Sequence, residues 1–523
     1  MYGRFRLYTS HIALNPITSQ ILEELSRAGV ELSEKLRGEL EARFDGRFGE
    51  KLRGDGRLAE WREDLKHAES RIAEWRGDLP FASSETRAGF PDEDIAPPNH
   101  SCLRVGLMTD TYLPFSNGVT HMVALLAKAL VARGHEPHIF TFASPGAFRA
   151  SLKDHEGIQV HHAPALRVSR AGYHFATRYP LRIRRILRQM DVIHAHHPFI
   201  SGRIAWRFKR AEQPLLFTNH TRYDIYGHYL QNWLPFVPED QVRELLTYRA
   251  ARLANRCDCV ISPSASVASL LKDWGVNAPI TTVPNGIELG RFQDAARAKN
   301  PEFDRTFRAR WNWPENAKVA VYLGRLVSEK NIAFLLEAWA RVREENGEAR
   351  LLLVGDGPLE DELKAHARIL QLGDSVRFAG KMDYAEVPQS LAACDIFVSA
   401  SVSEVHPLTF IEAMASGLAP VGTHSPGVAD TVCDDDEASN GWLCDVPAGH
   451  PHNNSASDAA LREAAVEQFA HTLSHALGDE EERKQRAARA KVDSSRYSID
   501  ATADATLQLY CEVLSARSVR PSN

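Results

Sequence analysis

The stretch from Asp395 to Gly417 constrains this 523-residue chain more than any other. Asp395-Ile396-Phe397-Val398-Ser399-Ala400 is short, apolar and β-rich, the pattern of a buried strand. Further on, Phe410, Ile411, Met414 and Leu418 take helical spacing, so strand, polar loop and helix follow in turn. Pro407 is the expected first helical residue, a position where its missing N–H costs nothing. Glu404 then falls in the loop at the strand's carboxyl end, where open α/β sheets bind ligands. Glu412 lies inside the helix between Ile411 and Ala413-Met414-Ala415, apolar company for an acid. Such a pair can grip two parts of one elongated ligand; the same spacing also occurs on solvated helix faces.

The apolar share of 44% and charged share of 25% describe a globular chain of two to four domains. A net charge of -6 argues against a nucleic-acid partner, which calls for a clustered basic surface. No apolar run reaches bilayer-spanning length, and the amino terminus shows no signal-peptide core, so a cytoplasmic location is expected. The 7 cysteines are odd in number and scattered, which suits reduced thiols.

Residues 1–81 form a charged segment with recurring pieces, such as Glu34-Lys35-Leu36-Arg37-Gly38 and Glu50-Lys51-Leu52-Arg53-Gly54. Leu58, Trp61, Leu65, Ala68, Ile72, Trp75 and Leu79 alternate steps of three and four, a helical seam. A helical extension is expected there, packed on the rest of the chain, on a second copy as a homo-oligomer, or on a partner or membrane. Residues 82–102 read as a linker. Strand grammar begins at 103: Arg104 to Thr109, a loop through Gly118, a helix from Val119 to Arg133, then the strand Pro137 to Phe142. A Gly-x-Gly-x-x-Gly fingerprint is absent from this βαβ opening, which disfavours a dinucleotide oxidoreductase.

Arg178 to Met190 reads as a basic amphipathic helix, suited to an anionic membrane surface or to a connection with a solvated face. His194, His196 and His197 invite a zinc reading, but no acid or cysteine completes a catalytic set, so no metal is expected. His220 sits past the strand Pro214–Thr218, where its ring can bond a sugar or hold a loop. Tyr223, Tyr226, His228 and Tyr229 follow, an aromatic loop suited to sugar or lipid-like acceptors. In the second half, Arg325 and Lys330 flank a strand-to-helix loop. Two permanent cations beside free helix N–H groups suit a diphosphate leaving group.

Taken together, these runs resemble the retaining glycosyltransferases of family four. The carriers are Thr109 to Val119, Asp191 to His196, Thr218 to Thr221, Pro284-Asn285-Gly286-Ile287-Glu288, Gly324 to Lys330 and Glu404 to Gly417. This chain has Val405-His406-Pro407 where the family has Thr-(Gln or Phe)-Gly, Asn331 for a usual Gly, and Glu288 for a usual Asp. The resemblance covers about 103 to 516 and implies a GT-B architecture: α/β, two facing Rossmann-like domains with parallel sheets, beside the N-terminal helical extension. The expected divisions are 103–295 for the acceptor domain, 296–495 for the nucleotide-sugar domain and 496–516 for a C-terminal helix returning to the first. The implied activity is hexose transfer from a UDP- or GDP-sugar, with no bound cofactor and no metal, by a retaining mechanism. His220, Arg325, Lys330 and Glu404 would be catalytic, and Gly118, Lys381, Met382, Leu408 and Glu412 would contact the donor. The loop at Thr109–Pro114 and the aromatic loop look most like the branch that glycosylates membrane lipids such as diacylglycerol, with peripheral contact at the inner membrane face. A soluble sugar or sugar phosphate as acceptor, a GT-B epimerase or phosphorylase, and a binding-only GT-B protein remain as alternatives.

Overall fold

The computed structural model describes residues 102–113, 117–143, 157–167, 174–175, 179–227, 238–435, 438–446 and 456–518. The expected helical extension, and the linker up to residue 101, lie outside them. The described residues divide between two compact units, with 226–227 and 238–245 in the first and the others in the second. Residues 238–245 open the helix Glu239–Ala254.

The second unit holds two parallel sheets. In the first, β1 (Arg104–Met108), β2 (Glu136–Ala143), β3 (Gln159–Pro164), β4 (Val192–Ala195), β5 (Leu215–Thr218), β6 (Cys259–Ser262) and β7 (Ile280–Thr282) lie in the order β3-β2-β1-β4-β5-β6-β7. The second comprises β8 (Lys318–Leu323), β9 (Ala349–Val354), β10 (Val376–Gly380), β11 (Ile396–Val398), β12 (Pro420–Thr423) and β13 (Trp442–Cys444). Their order is β10-β9-β8-β11-β12-β13. Helices cover both faces, so the strands are continuous apolar runs: Leu351, Leu352 and Leu353 are all fully buried. Each order reverses once, between β1 and β4 and again between β8 and β11, which are paired neighbours. At such a switch point the loops leaving neighbouring strands run to opposite faces, the place where open α/β sheets bind ligands. Arg325 and Lys330 follow β8 and Glu404 follows β11, so topology alone sets them side by side.

The main helices are α1 (Gly118–Ala132), α2 (Leu181–Arg188), α3 (Ala265–Asp273), α4 (Leu289–Ala298), α5 (Ile332–Glu345), α6 (Leu408–Ala415), α7 (Ala456–Gly478), α8 (Glu480–Ser494) and α9 (Ile499–Ser518). Asn117 starts α1 through a capping box with Thr120, which satisfies two otherwise orphan N–H groups. Asn331 starts α5 at φ 52 and ψ 39, a left-handed conformation that Asn tolerates and Gly prefers, which accounts for Asn at that place. Pro407 sits at φ -80 and ψ 106, just outside α6. The expectation of a first helical residue is therefore corrected by one position: Pro407 caps the helix. The basic helix is also shorter than expected, since Pro180 starts it and Gln189 ends it. Its Ile183 and Leu187 are buried, while Arg182, Arg185 and Leu181 face outward.

The chain passes between the sheets twice, and the two passages are bonded together. Ile287 N–H donates to Tyr497 O at 3.0 Å, and Ile499 N–H donates to Ile287 O at 2.9 Å. Beyond the second passage α9 packs on the first sheet's core, where Ile499, Ala503 and Tyr510 join Val105, Leu126 and Leu130. All seven thiols are free.

The turn after β9 clamps the loop after β8. Leu326 N–H donates to Asp356 O at 2.8 Å, and Leu359 N–H donates to Leu326 O at 3.2 Å. Gly355 has φ +138, and a Cβ there would lie 1.9 Å from Gly324 O. Gly355→Ala should thus cost about 3 kcal/mol through backbone strain and displacement of the Arg325 loop. Thermal and urea unfolding would report it; an unchanged midpoint would show that the close approach is not required.

Candidate active site

The mouth of the second sheet is built on two ion pairs. Lys330 Nζ lies 2.5 Å from Glu404 Oε1, with side-chain exposures of only 19% and 15%, so solvent screens the pair weakly. Arg325 Nη2 lies 3.3 Å from Glu329 Oε1 and its side chain remains 48% exposed, while Glu329 is buried. The Arg325 backbone is held by Tyr322, whose buried hydroxyl donates to its carbonyl at 3.0 Å. Burial pushes the Glu404 carboxyl up, but the Lys330 ammonium, a Ser401 hydroxyl and Arg325 outweigh it and hold it below the usual carboxylate range. Glu404 is therefore ionised at neutral pH.

The loop carrying Glu404 is fixed from behind. Thr423 Oγ1 donates to Ser401 O at 2.5 Å, and Gly427 packs so tightly on Val405 and Glu404 that a Cβ would meet their backbone at 2.4–2.7 Å. His406 is buried, edge-on to Tyr497 at 4.9 Å, and its carbonyl accepts from Asn285 Nδ2 at 3.4 Å. The Val405-His406-Pro407 departure thus ties the loop to both chain passages.

Glu412 is only 4% exposed, on the inner face of α6. Its Oε1 accepts the Tyr384 hydroxyl at 3.0 Å. Burial pushes its carboxyl up to about 7, against the Tyr384 hydrogen bond and the Arg291 charge, which both pull it down. Lys381 is exposed at the end of β10 and Met382 half-buried, its sulfur accepting from Ser390 Oγ at 3.0 Å. Leu408, half-buried, touches the cores of both sheets. Gly118 opens α1, and a Cβ there would meet no protein atom within 4 Å.

In the first domain, His220 is not isolated. Its Nε2 is 2.9 Å from His196 Nδ1, so one imidazole donates and the other accepts. Burial lowers His220 to about 3 and His196 well below its ordinary value, so both are neutral near pH 7. The three neighbouring histidines take different hydrogen-bond partners, although the His194 and His196 rings lie 4.2 Å apart: His194 bonds Tyr510 and Thr218, His196 bonds His220, and His197 bonds Thr109 and Asp110. Tyr223 is a correction as well. It is buried between Phe199 and Trp274 and so does not line an acceptor surface; His228 and Tyr229 lie outside the described residues. The residues missed from sequence are Tyr384, Arg291 and His121. Tyr384 stands two positions past Met382, but nothing in its spacing points to Glu412.

A raised carboxyl carries a signed stability cost. Folded Glu412 binds its proton more tightly than the unfolded chain does, so its neutral form favours folding below about pH 4.5 and that benefit is lost as pH rises to about 7. Glu412→Gln should therefore raise stability at pH 8 by roughly 2–3 kcal/mol, with the gain vanishing near pH 4. Melting curves across that range check it; equal stabilities at pH 8 would show that the carboxylate is not strained by burial.

The sequence matches two family models, Glycosyltransferase Family 4 over residues 116–291 and Glycosyl transferases group 1 over residues 303–492. It is 31% identical over 339 residues to the alpha-monoglucosyldiacylglycerol synthase of Streptococcus pneumoniae, covering 64% of this chain and 74% of that protein. It is 27% identical over 352 residues to the GDP-mannose-dependent alpha-mannosyltransferase of Corynebacterium glutamicum, covering 66% of this chain and 77% of that protein. Among solved structures, Anabaena HepE in complex with UDP and glucose superposes with a TM-score of 0.59 at 21% identity, over 79% of this chain and 100% of that one, a likeness of fold. With its two switch points, paired parallel sheets and matched sequence models, the chain belongs to the family-four glycosyltransferases of GT-B fold.

Proposed function

We propose that this glycosyltransferase moves a hexose, with retention of anomeric configuration and without a metal ion, from a UDP- or GDP-sugar to the hydroxyl of a membrane lipid of the diacylglycerol type. The observation that carries the reading is the Lys330–Glu404 pair beside Arg325 at the start of α5. Breaking a glycosyl–phosphate bond builds negative charge on the leaving oxygen, and fixed cations beside helix N–H groups stabilise that charge as it forms. An incoming diphosphate would draw Lys330 from Glu404, leaving the carboxylate to accept hydrogen bonds from sugar hydroxyls. The anomeric carbon then becomes oxocarbenium-like. The acceptor oxygen would attack from the face the nucleotide leaves, giving its proton to the departing phosphate. Glu412 would hold the ribose, backbone near Lys381 and Met382 the base, and α1 from Gly118 the diphosphate from the opposite side. His220, neutral and braced by His196, would bond a hydroxyl of the transferred sugar without adding charge.

Relatives support the finer points of this reading. The names of the pneumococcal and Corynebacterium proteins both carry "alpha", which agrees with retention from an α-linked donor, while one names a glucosyl lipid and the other GDP-mannose. Both UDP- and GDP-sugars are therefore donors to try. A lipid acceptor suits α2, whose outward Arg182 and Arg185 flank the exposed Leu181, the composition of a helix resting on an anionic surface. Among the described residues no helix is long and apolar enough to cross a membrane, so contact through these residues would be peripheral.

Nucleotide release should be followed with UDP-glucose and GDP-mannose, with vesicles containing diacylglycerol and with soluble sugar phosphates. Turnover is expected with vesicles, unchanged by a chelator, giving an α-linked product by NMR. Arg325→Ala and Lys330→Ala should each lower kcat by about 10²-fold. A full rate in both variants would remove the assignment of the cations, and turnover only with soluble acceptors would remove the lipid.

A further inference from the structure

The residues around Glu412 come from both domains and both sides of the first chain passage. Tyr384 donates its hydroxyl to Glu412 Oε1 at 3.0 Å. His121, on α1 of the first domain, meets the Tyr384 ring edge-on with centroids 4.5 Å apart. Arg291, on α4 just past the passage at Ile287, lies 4.8 Å above the same ring and donates to the Tyr384 carbonyl at 3.4 Å. Arg291 also pairs with Glu288 at 3.1 Å. The phenol is thus held from three directions while its one polar atom is aimed at a buried carboxylate.

We propose that Tyr384 is a positioning residue for donor binding: its hydroxyl aims the Glu412 carboxylate at the ribose, and its ring, braced by His121 and Arg291, ties that grip to the seating of the two domains. This rests on the reading of Glu412 as the ribose-binding acid. A carboxylate accepts two vicinal hydroxyls well only when ionised and fixed in rotation. An apolar pocket opposes both conditions, and a donor hydroxyl on one oxygen works against that opposition. Arg291 adds positive charge without touching the carboxylate, and α4 brings it there from the hinge side. Because His121 belongs to the opposite domain, an opening of the cleft that withdraws α1 would loosen the phenol and release Glu412 with it.

The ionisable groups bearing on Glu412 are Tyr384 and Arg291; Glu288 bears on Tyr384 and His121, and Lys128 on His121. Of the other helices packed on α6, Val387–Ala392 has no ionisable side chain, and α8 turns Asp493 to Asn440 and Arg486 to Asp434. Removing the phenol hydroxyl leaves burial unopposed except by Arg291, so the Glu412 carboxyl should rise and the acid limb of nucleotide binding should move to higher pH.

The test is equilibrium binding of UDP, GDP and the 2′-deoxy form of whichever binds, to the full chain and to Tyr384→Phe, between pH 6 and 9. Tyr384→Phe keeps the ring and its packing. The expected result is about tenfold weaker binding at pH 7, an acid limb shifted upward, and a smaller penalty for the missing 2′-hydroxyl than in the wild type. Equal weakening of the ribo and deoxy nucleotides, or an unmoved acid limb, would overturn the proposal, since a merely structural role would act that way. His121→Ala leaves the phenol hydroxyl in place. It should weaken binding about threefold while keeping the deoxy penalty, and unchanged affinity would overturn the link between domains. A wild-type chain that binds neither nucleotide would sink the donor reading itself, whereas wild-type binding with an unaltered Tyr384→Phe profile sinks the inference alone.

Discussion

Two cations carried on one strand-to-helix loop need counter-charges of their own, and that constraint organises the mouth of the second sheet. Like charges held close together repel, and partly buried ones also lose hydration, so each is matched by its own carboxylate. Lys330 is matched with Glu404 across the switch point and Arg325 with Glu329 within one turn. The two pairs differ in use. Glu329 is buried, a permanent counter-charge, whereas Glu404 stands at the mouth, where in the proposed function it would exchange the ammonium for sugar hydroxyls. Breaking such a pair without replacement costs several kcal/mol. In the proposed function a pyrophosphate would repay this by giving the cation a better partner, so that binding and activation of the leaving group would become one event.

The scaffolding behind that exchange is stiff. Gly355 and Gly357 let the turn after β9 press against Gly324 and Leu326, and Gly427 lets the segment after β12 press against Glu404 and Val405. Both contacts are backbone to backbone, so the loops bearing the charges cannot drift without unpacking a sheet. The two domains meet at a separate junction. There Ile287 and the Tyr497–Ile499 segment exchange hydrogen bonds, His406 leans on Tyr497, and Ser266 on α3 donates from both its hydroxyl and its N–H to Asp430 of the second domain.

Much of this was legible in the chain because parallel strands buried on both faces must be written as unbroken apolar runs. Leu351–Val354 and Lys318–Leu323 could hardly be read otherwise, and a strand followed by Gly324-Arg325, or by the polar run from Ser399 to Glu404, announces its loop. Lys330 and Glu404 were each legible, but their pairing depends on β8 and β11 being neighbours, a long-range fact that spacing does not carry. The cluster at Tyr384 was not legible for the same reason: His121, Arg291, Tyr384 and Glu412 come from four separate segments, and only Glu412 has a telltale spacing. Tyr223 misled because an aromatic loop composition does not say which rings turn inward to fill space against Phe199 and Trp274. Pro407 was displaced by one position because its ψ stays extended, leaving the helix to begin at Leu408.

The most direct measurement is a crystal structure of the protein with bound nucleoside diphosphate. The account predicts the β-phosphate within hydrogen-bonding distance of both Arg325 and Lys330, with the Lys330–Glu404 contact opened. A diphosphate seated away from the start of α5, or an ammonium still locked onto Glu404 with the nucleotide present, would contradict it.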